Sequence, residues 1–271
     1  MPIMISEAVH LRGSLAFCAI LLIGIANCYN KQMSILLFII IILMASILQT
    51  STGFGFSILA TPFLLLLFEP MEAIQINLIL SLIISLALIT KIKKDIDFGI
   101  LKRLIAGSVI GLPLGIVTFL FLDINKLKMG ISIIILLLTM LLILKFRINQ
   151  NKGKDLFVGG LSGSLTASIG MPGPPVLLYF SGTDTSKEKL RGTTLAFYLF
   201  IYLMSLFIQI IFAGTSKTVW LSSGLALPLV GLGLYLGQLL FNRVNQRFFR
   251  IFTYVILLFT GVYLFIDSWK P

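Results

Sequence analysis

The stretch Gly163–Phe180, "GSLTASIGMPGPPVLLYF", decides how this chain is read. Its flanks are apolar enough for a lipid environment. Its middle, Ile169–Pro175, sets Gly170 and Gly173 among Pro172, Pro174 and Pro175. Proline has no N–H to give a helix, and glycine permits backbone shapes closed to other residues. A helix is therefore expected to stop here, and the surrounding composition puts the stop at membrane depth. The chain is 58% hydrophobic and 11% charged, whereas a soluble protein is about 25% charged. Long apolar runs alternate with short basic patches. The expected fold class is an all-α polytopic membrane protein, and 1–271 reads as one integral membrane domain.

With roughly 20 residues needed per crossing, full-length apolar windows fall at 14–30, 34–52, 73–90, 104–122, 129–146, 193–213, 220–240 and 251–267. Shorter pieces lie at 56–68, 156–169 and 174–181. The first window is expected to be an uncleaved extra helix within 1–32. The alternative is a signal peptide, since Arg12 precedes the run and "IANC" ends at Cys28, but no good small-residue cleavage motif is present.

The rest of the chain repeats itself weakly. "IGLPLGIVTFLFLDINKLK" (110–128) aligns with "LGLYLGQLLFNRVNQRFFR" (232–250), so Gly111 and Gly115 fall on Gly233 and Gly237. "STGFGF" (51–56) aligns with "TASIGM" (166–171), which sets Gly55 on Gly170. Repeat 1 is expected over 33–146 and repeat 2 over 147–271. Each is a Gly/Pro-broken re-entrant or discontinuous helix pair followed by three transmembrane helices.

Charge orients these halves. The net charge is +11, the excess expected when basic loops are held on the cytoplasmic side. Loops 91–103, 145–155, 182–192 and 241–250 are all basic, whereas turn 69–72 holds Glu69 and Glu72 and no base. If 156–181 crossed once, loops 182–192 and 241–250 would lie outside. If it enters and returns, all four basic loops lie inside. The same treatment of 34–68 leaves turn 69–72 outside. Three full crossings per half then give repeats of opposite orientation, a common plan of secondary transporters. A parallel four-plus-four plan is the rival, because 34–52 is long enough to cross alone.

Non-helical backbone in a membrane is tolerated only where protein or water satisfies its polar groups. Two breaks meeting near the midplane would present half-helix N-termini and hydroxyl donors, an arrangement suited to an anion. The candidate site residues are Gln49, Ser51, Thr52, Gly53, Gly55, Ser57 and Asn77 from the first half. From the second half come Thr166, Ser168, Gly170, Gly173 and Pro174. Isolated small residues such as Gly231 and Ser205 read instead as packing positions.

These residues resemble the sulfite exporter TauE/SafE (TSUP) family. "GLSGSLTASIGMPGPPVLLYF" (160–180) is similar to its second-half signature and "STGFGFSILATPFLLLL" (51–67) to the first-half counterpart. "AIQINLILSLIISL" (73–86), with Asn77, resembles its Ala-x-x-x-Asn helix, and "KEKLRGTTLAFYLF" (187–200), with Arg191, the opening of the corresponding helix. The resemblance covers about 34–267. It implies a plasma-membrane, multi-pass permease or exporter for sulfite, sulfonates or related small organic anions. It also implies that the paired Gly/Pro-rich segments are the site. "GFGF" stands where the family often has consecutive glycines, and Met171 and Pro172 interrupt the second glycine run.

Other residues leave two readings each. Asn77 faces the site or caps a neighbouring helix. Arg191 anchors the loop or draws an anion to the inner mouth. Tyr179, Tyr198 and Tyr202 are interface aromatics or site walls. Gln209 and Gln238 read as interhelical hydrogen bonds, and Asp123 and Asp267 as structural. No span carries a charge at its middle, and no Asp, Glu or His is expected inside the bundle. This disfavours an enzyme and leaves a uniporter, an exchanger or a proton carried by the substrate. No metal or other cofactor is expected. The expected partners are a small anionic substrate and the lipid bilayer, with a homo-oligomer allowed and nucleic acid excluded. The alternatives are an accessory subunit of a membrane complex and a passive anion channel.

Overall fold

The computed structural model describes residues 32–121, 124–144, 151–181 and 185–241, with parts of 254–268. The window 14–30, loop 242–250 and parts of the last window lie outside the described residues. A first compact unit ends at Ile40 and the second is Ile41–Pro271. Every described element is helical: α1 (Gln32–Thr52), α2 (Phe56–Leu67), α3 (Pro70–Ile92), α4 (Phe98–Phe121), α5 (Ile124–Ile143), α6 (Lys152–Ile169), α7 (Gly173–Ser181), α8 (Lys187–Ala213) and α9 (Lys217–Phe241). Five of them are long and apolar enough to cross a membrane: α1, α3, α4, α8 and α9. Helices begin up to six residues before the apolar windows, as at Lys187 and Phe98. The polar loop residues there supply first turns; Ser186, for example, caps α8 by accepting from the Lys189 N–H.

Apolar side chains cover the outside as well as the core. Phe121 is 82% exposed, Leu225 76% and Ile110 71%, which suits lipid contact. Lipid offers helices little hydrophobic gain from association, so close packing must hold them together. The closest packing joins α4 to α6. Gly107, Gly111 and Gly115 face α6 so tightly that a methyl built on Gly111 would lie 1.9 Å from the Gly160 carbonyl oxygen. From the other side, a methyl on Gly159 would lie 2.1 Å from the Leu104 carbonyl oxygen. Gly107 meets Leu156, Gly111 meets Gly160 and Gly115 meets Ser164. The numbers rise together, so the two helices run in the same direction. On α9, Gly233 meets Ser46 and Gly237 meets Thr50 of α1, again in parallel. Gly231, by contrast, meets no other side chain or backbone among the described residues.

Polar contacts show which helix ends lie together. Lys91 Nζ donates to Gln238 Oε1 (2.7 Å), joining the ends of α3 and α9. The Asp97 N–H donates to Thr193 Oγ1 (2.9 Å), bringing the α3–α4 turn to the start of α8. Arg103 on α4 pairs with Asp155 in the first turn of α6, and Tyr179 near the end of α7 donates to the same carboxylate. Helices α6 and α7 thus start and finish at this basic end. At the opposite end Gln75 Nε2 donates to the Gly214 carbonyl (2.7 Å) and Ser216 Oγ to Glu72 Oε1 (2.7 Å). Helix α1 runs alongside α9 toward the basic end, and α2 turns back to join α3 at the acidic end.

Asp155 corrects the expectation that the bundle holds no carboxylate. Its place in the basic linker 145–155 predicts a solvent-facing charge, yet it is only 2% exposed. The α6 helix begins at Lys152, which carries Asp155 inward, where the Arg103 guanidinium and the Tyr179 hydroxyl donate to its carboxylate. Asp155→Asn weakens the ion pair to Arg103 and the bond from Tyr179. Loss of its charge lowers stability by roughly 1–3 kcal/mol, read as a lower unfolding temperature in detergent, with Tyr179→Phe showing a smaller drop. Gly111→Ala forces α4 from α6 and costs about 1–3 kcal/mol. Gly231→Ala, with no described residue beside it, stabilises by up to about 1 kcal/mol through helix propensity; the same melts check both.

Candidate functional site

Each broken pair is built around a helix that ends on a left-handed glycine. Helix α1 ends where Gly53, φ +88°, donates its N–H to the Gln49 carbonyl at 2.8 Å. Helix α6 ends on Gly170, φ +71°, whose N–H reaches Thr166 O at 2.8 Å, while the Met171 N–H reaches Leu165 O at 3.3 Å. These carbonyls would otherwise be orphaned at a helix end. The residue that ends α1 as Gly170 ends α6 is thus Gly53, two positions before the glycine the alignment sets on Gly170. Gly55, φ +116°, caps the start of α2 instead.

The breaks themselves do not coincide. Helices α1 and α6 come from opposite ends, and each runs past the centre before stopping. Gly53 lies against Arg191 near the basic end, a methyl there falling 2.9 Å from the Arg191 Cα. Gly170 lies against Asn77 and Ile74 toward the acidic end. The starts of the following helices do converge. A methyl on Gly173 would lie 2.7 Å from Ile58 Cδ1 and 3.5 Å from the Tyr198 hydroxyl. Ser57 Oγ lies 3.3 Å from the Tyr202 hydroxyl. Ser57, Gly173 and Pro174 therefore gather at one place, beneath two tyrosines.

The remaining candidate residues are placed as follows. Asn77 donates to the Gly170 carbonyl at 2.8 Å, capping α6. Gln49 donates to Ser81 O and Ser85 Oγ on α3 (3.1 and 3.2 Å). The Ser51 hydroxyl bonds Leu48 O, and that of Thr52 bonds Leu48 O and Phe54 O, fastening the first break to itself. Thr166 and Ser168 turn their hydroxyls onto carbonyls of their own helix, at Ser162 (2.6 Å) and Ser164 (2.8 Å). Intrahelical bonding of this kind gives Ser and Thr an acceptor where water is absent.

A stripe on α8 joins these parts. Arg191, Thr194, Tyr198, Tyr202, Ser205 and Gln209 recur every three or four residues, so they share one helix face. Ser205 and Gln209 donate to the Thr166 and Ala167 carbonyls, 3.3 and 3.0 Å, at the end of α6. The Tyr198 and Tyr202 rings lie 5.2 Å apart and neither is exposed. The Tyr198 hydroxyl and Thr194 Oγ1 have no hydrogen-bond partner among the described residues. A buried hydroxyl without a partner costs roughly 1–3 kcal/mol, so these two are positions where a polar ligand would lower the energy. The polar period within "RGTTLAFYLFIYLMSLFIQ" (191–209) was the available signal for this stripe, and weighing the tyrosines one at a time missed it.

Asn77→Ala removes the donor to Gly170 O and is expected to cost about 1–3 kcal/mol. Asn77→Asp sets a carboxylate oxygen against that carbonyl and costs more. Thermal unfolding of the purified variants checks the order parent, Ala, Asp.

No curated protein and no solved structure matches this chain. The family model described as "Sulfite exporter TauE/SafE" matches residues 37–264. The matched segment includes both glycine breaks, the converging starts of α2 and α7 and the α8 stripe. The chain therefore belongs to the sulfite exporter TauE/SafE family of membrane transporters.

Proposed function

We propose that this protein is a secondary transporter for a small oxyanion, such as sulfite, a sulfonate or a related organic anion. The anion binds where α2 and α7 begin, against Tyr198 and Tyr202. The observation that carries this reading is the fully buried Tyr198 hydroxyl, unpartnered beside Gly173. The first-turn N–H groups of α2 add donors, because a helix start has no internal acceptors for them. Helix α7 adds fewer, since Pro174 and Pro175 carry no N–H. A site of dipoles and hydroxyls binds an anion without a buried lysine and releases it again.

The contact pattern supports the inverted plan. Gly111 and Gly115 in the first half pack on α6 of the second; Gly233 and Gly237 in the second half pack on α1 of the first. Each half thus grips the broken pair of the other, as two oppositely oriented repeats (33–146 and 147–271) would. In this plan the protein is a multi-pass protein of the plasma membrane with its basic end in the cytoplasm. An inside-negative potential then favours anion export by about 2.3 kcal/mol per charge per 100 mV. Asp155 is committed to Arg103 and Tyr179, a structural role.

Flux of labelled sulfite and methanesulfonate into proteoliposomes tests this. The parent shows saturable uptake that is stimulated by unlabelled anion on the far side, which a passive channel does not give. Tyr198→Phe keeps the ring and lowers flux at least about tenfold, the loss of roughly 1.4 kcal/mol at one hydrogen bond. Gly170→Leu and Gly55→Leu abolish it. Folded parent protein that moves none of these anions overturns the reading.

A further inference from the structure

The basic end carries a second feature that the central site does not use. Arg191 lies in the second turn of α8 and is only 9% exposed. Its Nε is buried without a hydrogen-bond partner, and no carboxylate among the described residues lies within ion-pair distance of it. Its guanidinium sits over the Phe241 ring, 4.2 Å from the centroid. A buried cation without a bonded anion is costly, and cation–π contact offsets only about 1–2 kcal/mol of that. The side chain borders a cleft of about 190 Å³ with Lys91, Asp95, Glu188, Gln238 and Phe241.

The cleft is not uniformly positive. Lys91 is engaged by Gln238, and Glu188 lies 3.9 Å from Lys187. Asp95 bounds the cleft and attracts the Arg191 charge without forming an ion pair with it, which leaves room for one further negative charge and limits how much more enters. Arg191 is the cleft's one cation that is both buried and unbonded among the described residues. It also touches the first break directly. Its Cα and Cγ would lie 2.9 and 3.0 Å from a methyl on Gly53. Thr194 and Tyr198, each with an unpartnered hydroxyl, follow it on the same face of α8.

We propose that Arg191 is an anion-docking residue at the basic-end mouth, which takes a small monoanionic oxyanion in this cleft and hands it along Thr194 toward Tyr198. The hand-over rests on the transport reading above; the docking does not. A guanidinium offers two parallel N–H donors to the paired oxygens of such an anion.

The test uses the purified full chain in detergent. Thermal unfolding is followed against sodium methanesulfonate and sodium sulfite, with sodium chloride at matched ionic strength. The parent's melting temperature is expected to rise saturably with the two oxyanions beyond the chloride control. Arg191→Gln without anion melts no lower than the parent, because the unbonded buried charge is gone, and its half-saturating anion concentration rises at least tenfold. Arg191→Lys keeps part of the response. Tyr198→Phe, which removes a bond only at the central site, weakens the shift less than Arg191→Gln does. In proteoliposomes Arg191→Gln raises KM about tenfold while maximal flux stays within twofold. A parent with no oxyanion-specific shift, or an Arg191→Gln variant that shifts like the parent, overturns the docking role. So does an Arg191→Gln variant destabilised without anion, which would make the arginine structural. A shift lost in Arg191→Gln, in a parent that moves no anion, leaves the docking site standing and overturns transport alone.

Discussion

Lipid offers no hydrogen bonds, so every backbone N–H and C=O at membrane depth must find a partner within the protein. The two helix breaks depend on that constraint most. At Gly53 the chain closes on the Gln49 carbonyl and the Thr52 hydroxyl; at Gly170 it closes on Thr166, Leu165 and the Asn77 side chain. The positive φ at both glycines aims these groups inward. With the ends satisfied, α2 and α7 can start inside the bundle and bring their first turns together at Ser57, Ile58 and Gly173. Proline at 174 and 175 fits there because the first turn of a helix has no use for those N–H groups.

The glycine seams supply the framework in which such breaks survive. Along α4 and α6 backbone touches backbone, leaving no room for a single added methyl at Gly107, Gly111 or Gly159. The seam between α9 and α1 does the same at Gly233 and Gly237 against Ser46 and Thr50. Polar contacts then tie the ends: Lys91 with Gln238 and Arg103 with Asp155 at one, Gln75 and Glu72 with the α8–α9 turn at the other. Close-packed seams thus hold the framework, and the short half-helices α2 and α7 start within it.

Much of this was legible in the residues. Apolar windows located the helices because lipid demands long apolar runs, and the Gly/Pro cluster at 169–175 located the second break because few other sequences stop a helix so firmly. What sequence left hidden depended on depth. Asp155 reads as one more charge in a basic linker; only the start of α6 at Lys152 turns it inward. The hydroxyls of Ser51, Thr52, Thr166 and Ser168 look like ligand donors until their own helices claim them. The α8 stripe stayed unread because its polar residues are spaced among large apolar ones, and their common face emerges only when positions 191 to 209 are taken together. Gly231 resembles the seam glycines in sequence, yet no described residue lies near it, since whether a neighbour is present is not written in the glycine.

The central claim is that each broken pair enters and returns, so that the basic segments share one side. Single cysteines in a background free of Cys18 and Cys28, labelled in sealed vesicles with a membrane-impermeant maleimide, test it most directly. Lys94→Cys, Lys154→Cys and Lys187→Cys are predicted to react from one side, and Glu69→Cys and Lys217→Cys from the other. Reaction of Lys154→Cys and Lys187→Cys from opposite sides would mean that 152–181 crosses the membrane once, and would contradict the account.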